Sequence, residues 1–581
     1  MTSVSKSKRI PQVHIDGLFF GFYEKLESLE DEEQLRMYFK NPHAAKKLST
    51  VLDSNVLLEA FGNATTSMNL NSSRFGKETN LFFSFDRYPS QYQILGCRLT
   101  PFLLETTRVT SARERRPTDD MDMNFHVFYA LVAGVNAMPY MRLLAKELRL
   151  DSASSETFAY LGRCKHKLQG VWTEEETWKK DVERWQHIVD AMNSMTLTAD
   201  QQRTIFQMLS AILWLGNIDF EWNNQAQKLD MVSPPSQQAA QNVVDLLGLP
   251  STEKLESMLF TKRINLASTG ESFDVSLEKG QVSHVRDTLA RLLYQALFFY
   301  LIEQMNEATS VDDASLLNGG GEHNGQIRVV KLFDVFGFEN LSRNSLEQLC
   351  INYLSEKLFS AEEQIVSIHY HRDRIRQSAT GEKDVLFLFE HSLGIFASLE
   401  ELTVLHQGEN ENWQQEQKKN QLLVRKLYER NATQLSEPPR ITGVSGQQWR
   451  NVLPFVVPHS REPVTYDATD FVKKNSDFHQ SSLLDSLKSS TIVEFQQMIA
   501  LMKAAAQTPA NKKVKASSIS VTGSQVNQFR TQIQALTAQD DDHMPLYMHC
   551  IRPNSSGRPS QIEAEVVARQ INSQRIPPQI Q

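Results

Sequence analysis

The stretch "IRVVKLFDVFGFENLSRNSLEQLCINYLSEKL", residues 327–358, restricts the fold more than any other part of the chain. Its opening segment has apolar side chains on both faces and little alternation, the pattern of a central strand in a sheet covered on each side. After a kink at Gly337, helical spacing takes over and runs to about residue 370. A covered strand feeding a helix implies a layered α/β body, and it puts Asp334 just outside the strand's carboxyl end, where such sheets bind ligands. Asp334, Gly337 and Glu339 are therefore either a capped strand-to-helix corner or a phosphate contact in which Gly337 lets the backbone approach closely. The segment alone fits both.

A second polar segment, "NLNSSRFGK" (residues 69–77), follows a helix rich in leucine and alanine that Gly62 ends, and it leads into the strand "TNLFFSFD". Ser72 and Ser73 offer two adjacent hydroxyls to a hard cation or a phosphate oxygen, and Arg74 offers a two-pronged donor to a carboxylate. The alternative is a polar turn. Three further segments, "MNFHVFYALVAG", "QQRTIFQMLSAILWLGNIDF" and residues 284–306, have helical spacing with apolar residues nearly all round, so they are expected to be buried helices. The stretches "ATSVDDASLLNGGGEHNG", "HQGENENWQQEQKKNQ" and "AAAQTPANKKVKASSISVTGSQ" break that periodicity and are expected to be loops or soft spots.

The chain has 581 residues and a net charge of −8, which excludes a generally basic nucleic-acid binder. Its four cysteines are widely spaced with no CxxC, which fits a reducing cytosol. The basic start is not followed by a signal-peptide core, and the richest apolar run, "LLYQALFFYLI", is far short of the roughly 20 residues that cross a bilayer. Neither export nor a membrane span is expected.

Taken together, the two polar segments resemble switch I and switch II of the myosin motor head, whose patterns are NxNSSRFGK and DxFGFE. The landmarks "LLEAFGNA", "LLETTRV", "NFHVFYALVAG", "ILWLGNIDF", "VRDTLARLLYQALFFYLIEQMN" and "LYMHCIRPN" follow in the family's order, so the resemblance covers roughly residues 45–576. It implies an α/β, myosin-head-like fold: a central, mostly parallel sheet with large helical subdomains above and below an actin cleft. The expected divisions are an atypical N-terminal segment (1–45), switch I with the upper subdomain (46–326), the switch II strand and relay helix (327–370), the lower actin-binding subdomain (371–565) and a remnant of the thiol helix (566–581).

The resemblance also implies roles. Asn69, Ser72 and the Gly337 amide would face the γ-phosphate of ATP, Ser73 would ligate Mg²⁺, and Asp334 would act on the metal through a water. Arg74 and Glu339 would close the pocket as a salt bridge and help to orient the attacking water, the positioning and charge stabilisation expected of phosphoryl transfer. Filamentous actin is the implied partner, with Glu271 and the basic loop residues Lys512, Lys513 and Lys515 as candidate contacts, and the implied location is the cytoplasmic actin cytoskeleton. A solvated linker is the plain alternative for the lysines, and a surface glutamate for Glu271.

The family's Walker A loop, GxxxxGK[ST], is absent from the sequence; the nearest lookalike, "GGEHNGQI", has no lysine and precedes a strand. Losing three charged hydrogen bonds of that loop would remove on the order of 5–9 kcal/mol from nucleotide binding, which argues against free-standing ATP turnover. The tail "VVARQINSQRIPPQIQ" has Ser573 and Arg575 where the family's thiol helix has cysteine and glycine, followed by Pro577 and Pro578, and no converter or light-chain site is expected after it. Three forms remain open: a motor head whose sequence is incomplete, a non-motor head that binds actin or another partner, and the head of a larger fusion such as a myosin-like chitin synthase.

Overall fold

A computed structural model of the chain describes residues 13–15 and 18–20 and, from 42 to 573, all but short stretches, the longest being 162–172, 311–326, 371–384, 437–452, 508–523 and 538–550. Helix α1 (Pro42–Gly62) begins with a proline, tolerated there because the first-turn N–H has no intrahelical acceptor. It ends at Gly62, where a Cβ would stand 2.2 Å from Phe75 Cε1, so only glycine lets the helix end rest on that ring. The chain then folds back on itself. Asn63–Ala64 pair antiparallel with Ser72–Ser73, and the returning arm runs into β1 (Gly76–Arg87).

Strand β1 forms a hairpin with β2 (Ser90–Phe102), and β3 (Ile327–Asp334) pairs antiparallel with the other side of β1, setting Lys77 opposite Asp334. Among the described residues the expected mostly parallel sheet is thus a three-stranded antiparallel ribbon in the order β3–β1–β2. The link between β1 and β2 is too short for the crossover that a parallel pair needs. Strand β3 also departs from the covered central strand expected of it: Leu332 is 42% and Phe333 46% exposed, and its one ladder among the described residues is with β1. Apolar periodicity reports the character of side chains, not how many neighbouring strands a segment acquires.

Two hydrophobic cores meet at the end of this ribbon, where β2 gives Leu99 to the first and Phe102 to the second. The first gathers α1, α2 (Arg108–Glu114), α3 (His126–Ala137), α4 (Glu174–Ser194), α5 (Ala199–Gly216), α6 (Pro234–Leu247) and α7 (Lys279–Ala308). The three expected buried helices are α3, α5 and α7, and each is buried over most of its circumference because its apolar residues leave no polar stripe. The second core is built on α8 (Leu346–Tyr370), α9 (Ile395–His406), α10 (Trp413–Asn431), β4 (Pro454–Pro458), β5 (Pro463–Asp467) and α11 (Phe471–Asn475). Helix α10 takes in half of the glutamine-rich soft spot, because Leu423 and Leu427 give its polar sequence one apolar face to bury.

Helices α12 (Gln480–Leu487) and α13 (Val493–Gln507) return to the first core, although they fall within the expected lower span 371–565. Helix α14 (Gln525–Thr537) rejoins the second core, and α15 (Ala564–Ser573) is the last element described. Phe102 packs into the second core and Leu104 against the first, and Leu103 between them takes a left-handed φ of 59°. Where the cores meet lies a cavity of about 160 Å³. Among the described residues no helix is long and apolar enough to cross a membrane.

Candidate functional site

The start of β1 and the end of β3 lie at the same end of the ribbon, because their antiparallel register pairs Lys77 with Asp334. This brings together the two polar segments, which are more than 250 residues apart in the sequence. Arg74 is the residue that joins them. Its side chain is fully buried; Nη1 donates to Glu339 Oε1 at 2.5 Å and Nη2 to Glu339 Oε2 at 3.2 Å, a two-pronged contact. Nη1 also donates to Ser72 Oγ at 3.1 Å.

The remaining nitrogen identifies a residue that the motifs did not single out. Arg74 Nε donates to Glu105 Oε2 at 2.6 Å, and Arg108 holds the same carboxylate from Nε at 2.8 Å. Burial alone would raise the Glu105 carboxyl, but the Arg108 and Arg74 guanidiniums outweigh it and bring it down to about 2. Burial likewise opposes the charge on Arg74, and the carboxylates of Glu105 and Glu339 overcome it, so the guanidinium stays charged. Glu105 stands in "LLETTRV", and its one local signal is Arg108 three residues later.

Glu339 is held from behind by the first turns of α8. Asn352 closes both backbone groups of Glu339, accepting from its N–H at 2.9 Å and donating to its carbonyl at 2.8 Å. Gln348 Nε2 donates to Glu339 Oε2 at 3.1 Å while its Oε1 accepts from the Ser345 N–H, so the residue that caps the helix also holds the carboxylate. A serine followed three residues later by glutamine is the sequence sign of that cap, and Asn352 lies one turn further on the same face.

The other expected residues take different places. Asn69 turns into its own loop, where Oδ1 accepts from the Asn71 N–H at 3.0 Å. Asn71 in turn is tied to Asn63, Glu59 and the buried His126, whose imidazole burial and the nearby Arg184 and Arg108 push down to about 3, leaving it neutral. Ser73 is exposed, and the Asp334 carboxylate is 65% exposed with Lys77 Nζ at 3.7 Å. A Cβ built at Gly337 meets no atom within 4 Å, so the backbone there faces open space. Glu271, Lys512, Lys513 and Lys515 lie outside the described residues, as do Arg575, Pro577, Pro578 and nearly all of the lookalike "GGEHNGQI".

Two cores that meet at the end of a strand ribbon, with a buried arginine–glutamate bridge beside hydroxyls, a carboxylate and an open glycine, make up an architecture of the motor-head class. The chain belongs to the myosin head (motor domain) family, whose model matches residues 30–577. It is 29% identical over 536 residues to Myosin-1 of Arabidopsis thaliana, covering 90% of this chain and 40% of that protein. It is 28% identical over 563 residues to Unconventional myosin-Vc of Homo sapiens, covering 92% and 28%. To Protein OPAQUE1 of Zea mays it is 30% identical over 536 residues, covering 90% and 30%. The chain thus spans between 28% and 40% of the length of these relatives.

Proposed function

We propose that the chain acts as an actin-filament-binding myosin head whose corner at Arg74 and Glu339 is a phosphate-sensing switch. The observation that carries this reading is the two-pronged contact between those residues, which joins the segments matching NxNSSRFGK and DxFGFE. Ser72, held at 3.1 Å from Arg74, presents its hydroxyl beside the bridge, and the open backbone at Gly337 leaves room for a terminal phosphate, whereas Asn69 would have to release the Asn71 N–H and turn out of its own loop to join them. Ser73 and Asp334 supply hard oxygen donors with exposed side chains, which fits a magnesium ion that takes one or two protein ligands and fills its shell with phosphate and water. No cluster of three or more histidine, cysteine or acidic residues competes for a metal among the described residues. When bound, magnesium would neutralise phosphate charge. The protein's own part is to orient: Glu105 aims Arg74, Arg74 aims Glu339, and Asn352 and Gln348 hold Glu339 in place.

The role proposed here is filament binding by residues 1–581, none of which forms a GxxxxGK[ST] loop. Cosedimentation with filamentous actin tests it. Binding is expected at low ionic strength, to weaken as salt rises, and to change little when ATP is added. An absence of pelleting at low salt would reject actin as the partner; strong release by micromolar ATP would reject the weak-nucleotide part of the proposal.

A further inference from the structure

Besides the Arg74–Glu339 bridge, a second polar contact crosses between the two cores. Thr107 Oγ1, at the start of α2, donates to Glu347 Oε1 in the first turn of α8 at 2.6 Å. Lys474 of α11 donates to the other carboxylate oxygen at 2.9 Å and to Ser345 Oγ at 2.8 Å. The Glu347 carboxylate is 13% exposed, and although burial favours its neutral form, Lys474 and the Thr107 hydroxyl together more than offset this and keep it charged. Glu347 therefore gives one oxygen to each side of the boundary. The turn that carries Thr107 also carries Glu105, the partner of Arg74, and begins at Leu103, whose left-handed backbone is a conformation that a branched residue adopts only when its surroundings hold it.

We infer that Thr107 and Glu347 are positioning residues: together they form a latch that holds the 103–107 turn against α8 and so keeps Arg74 in register with Glu339. The latch requires no nucleotide and operates in the chain alone. The cavity beside it supplies a readout, because Cys350 lines that cavity together with Glu347, Thr107 and Phe102, whereas Cys97 is buried on β2. If the latch lets go, the cavity opens and the Cys350 thiol is uncovered.

Thr107→Val removes the donor hydroxyl and keeps both the side chain's shape and the Glu347 charge that bears on the thiol. Alkylation of Cys350 by iodoacetamide at pH 8, followed by mass spectrometry of its peptide, is expected to accelerate about tenfold in Thr107→Val, the effect of one charged hydrogen bond lost. Thr107→Ser, which restores the hydroxyl, is expected to stay within about twofold of the parent, and Cys97 labelling to be unchanged. An unchanged Cys350 rate in Thr107→Val, no rescue in Thr107→Ser, or a parallel rise at Cys97 that signals general loosening would each overturn the latch.

Discussion

Glu339→Gln is the most direct test of the bridge, because it keeps the side chain's size and removes its charge. Arg74 has two carboxylates within hydrogen-bonding reach, at 2.6 Å and 2.5 Å for the shortest contacts. With charge centres about 4 Å apart and an effective dielectric of about 20, each pair is worth roughly 4 kcal/mol before desolvation is counted. Glu105 remains in the variant, so the guanidinium is not stranded. The new amide, however, faces donors from both Arg74 and Gln348, and one of them loses its acceptor, a further ~1–3 kcal/mol that partly overlaps the first term. A net loss of about 2–4 kcal/mol is expected. A double-mutant cycle with Arg74→Met isolates the pair, read on the first transition in urea because a chain with two cores need not unfold in one step. A coupling energy below about 0.5 kcal/mol would refute the claim that this contact holds the two segments together.

Two other outcomes follow from single residues. The Glu105 carboxyl lies near 2 in the folded chain against an ordinary value of 4.5, so its contribution of roughly 3 kcal/mol is present above pH 4.5 and is lost as pH falls towards 2. Glu105→Gln should therefore lower the melting temperature at pH 7 and erase part of the acid lability, which thermal scans between pH 3 and 7 would reveal; a variant as acid-labile as the parent would count against the assignment. Gly248 caps α6 at a φ of 60°, and an added Cβ would stand 2.8 Å from Thr491 Oγ1, so Gly248→Ala should cost about 1–2 kcal/mol in urea unfolding, and a neutral result would contradict the described turn.

Much of the architecture was legible because it depends on local pattern. Gly62 ended α1, the apolar runs around Phe128, Leu209 and Leu293 became buried helices, and the residues after Ser345 formed α8 as their spacing required. Partnership across the chain was not legible from spacing. Strand β3 reads as doubly covered yet among the described residues pairs with β1 alone, since a residue's apolar character does not say whether a strand arrives beside it. The meeting of Arg74 with Glu339 followed from the family resemblance, whereas Glu105 escaped notice because its partner Arg74 is 31 residues away and no periodicity links a carboxylate to a guanidinium across a hairpin. Leu103 and Leu104 are alike in sequence, and only the fold sends them into different cores.

The register of β3 against β1 has a mechanical meaning. Eight consecutive residue pairs fasten the rail from which both polar segments hang, so neither segment can slide past the other without breaking that ladder. Any relative motion is left to the few bonds beyond its end, around Phe75 on one arm and from Val335 to Gly337 on the other. The corner therefore works as a short-armed clasp on a fixed bar, whose travel is set by bond rotations and not by sheet movement.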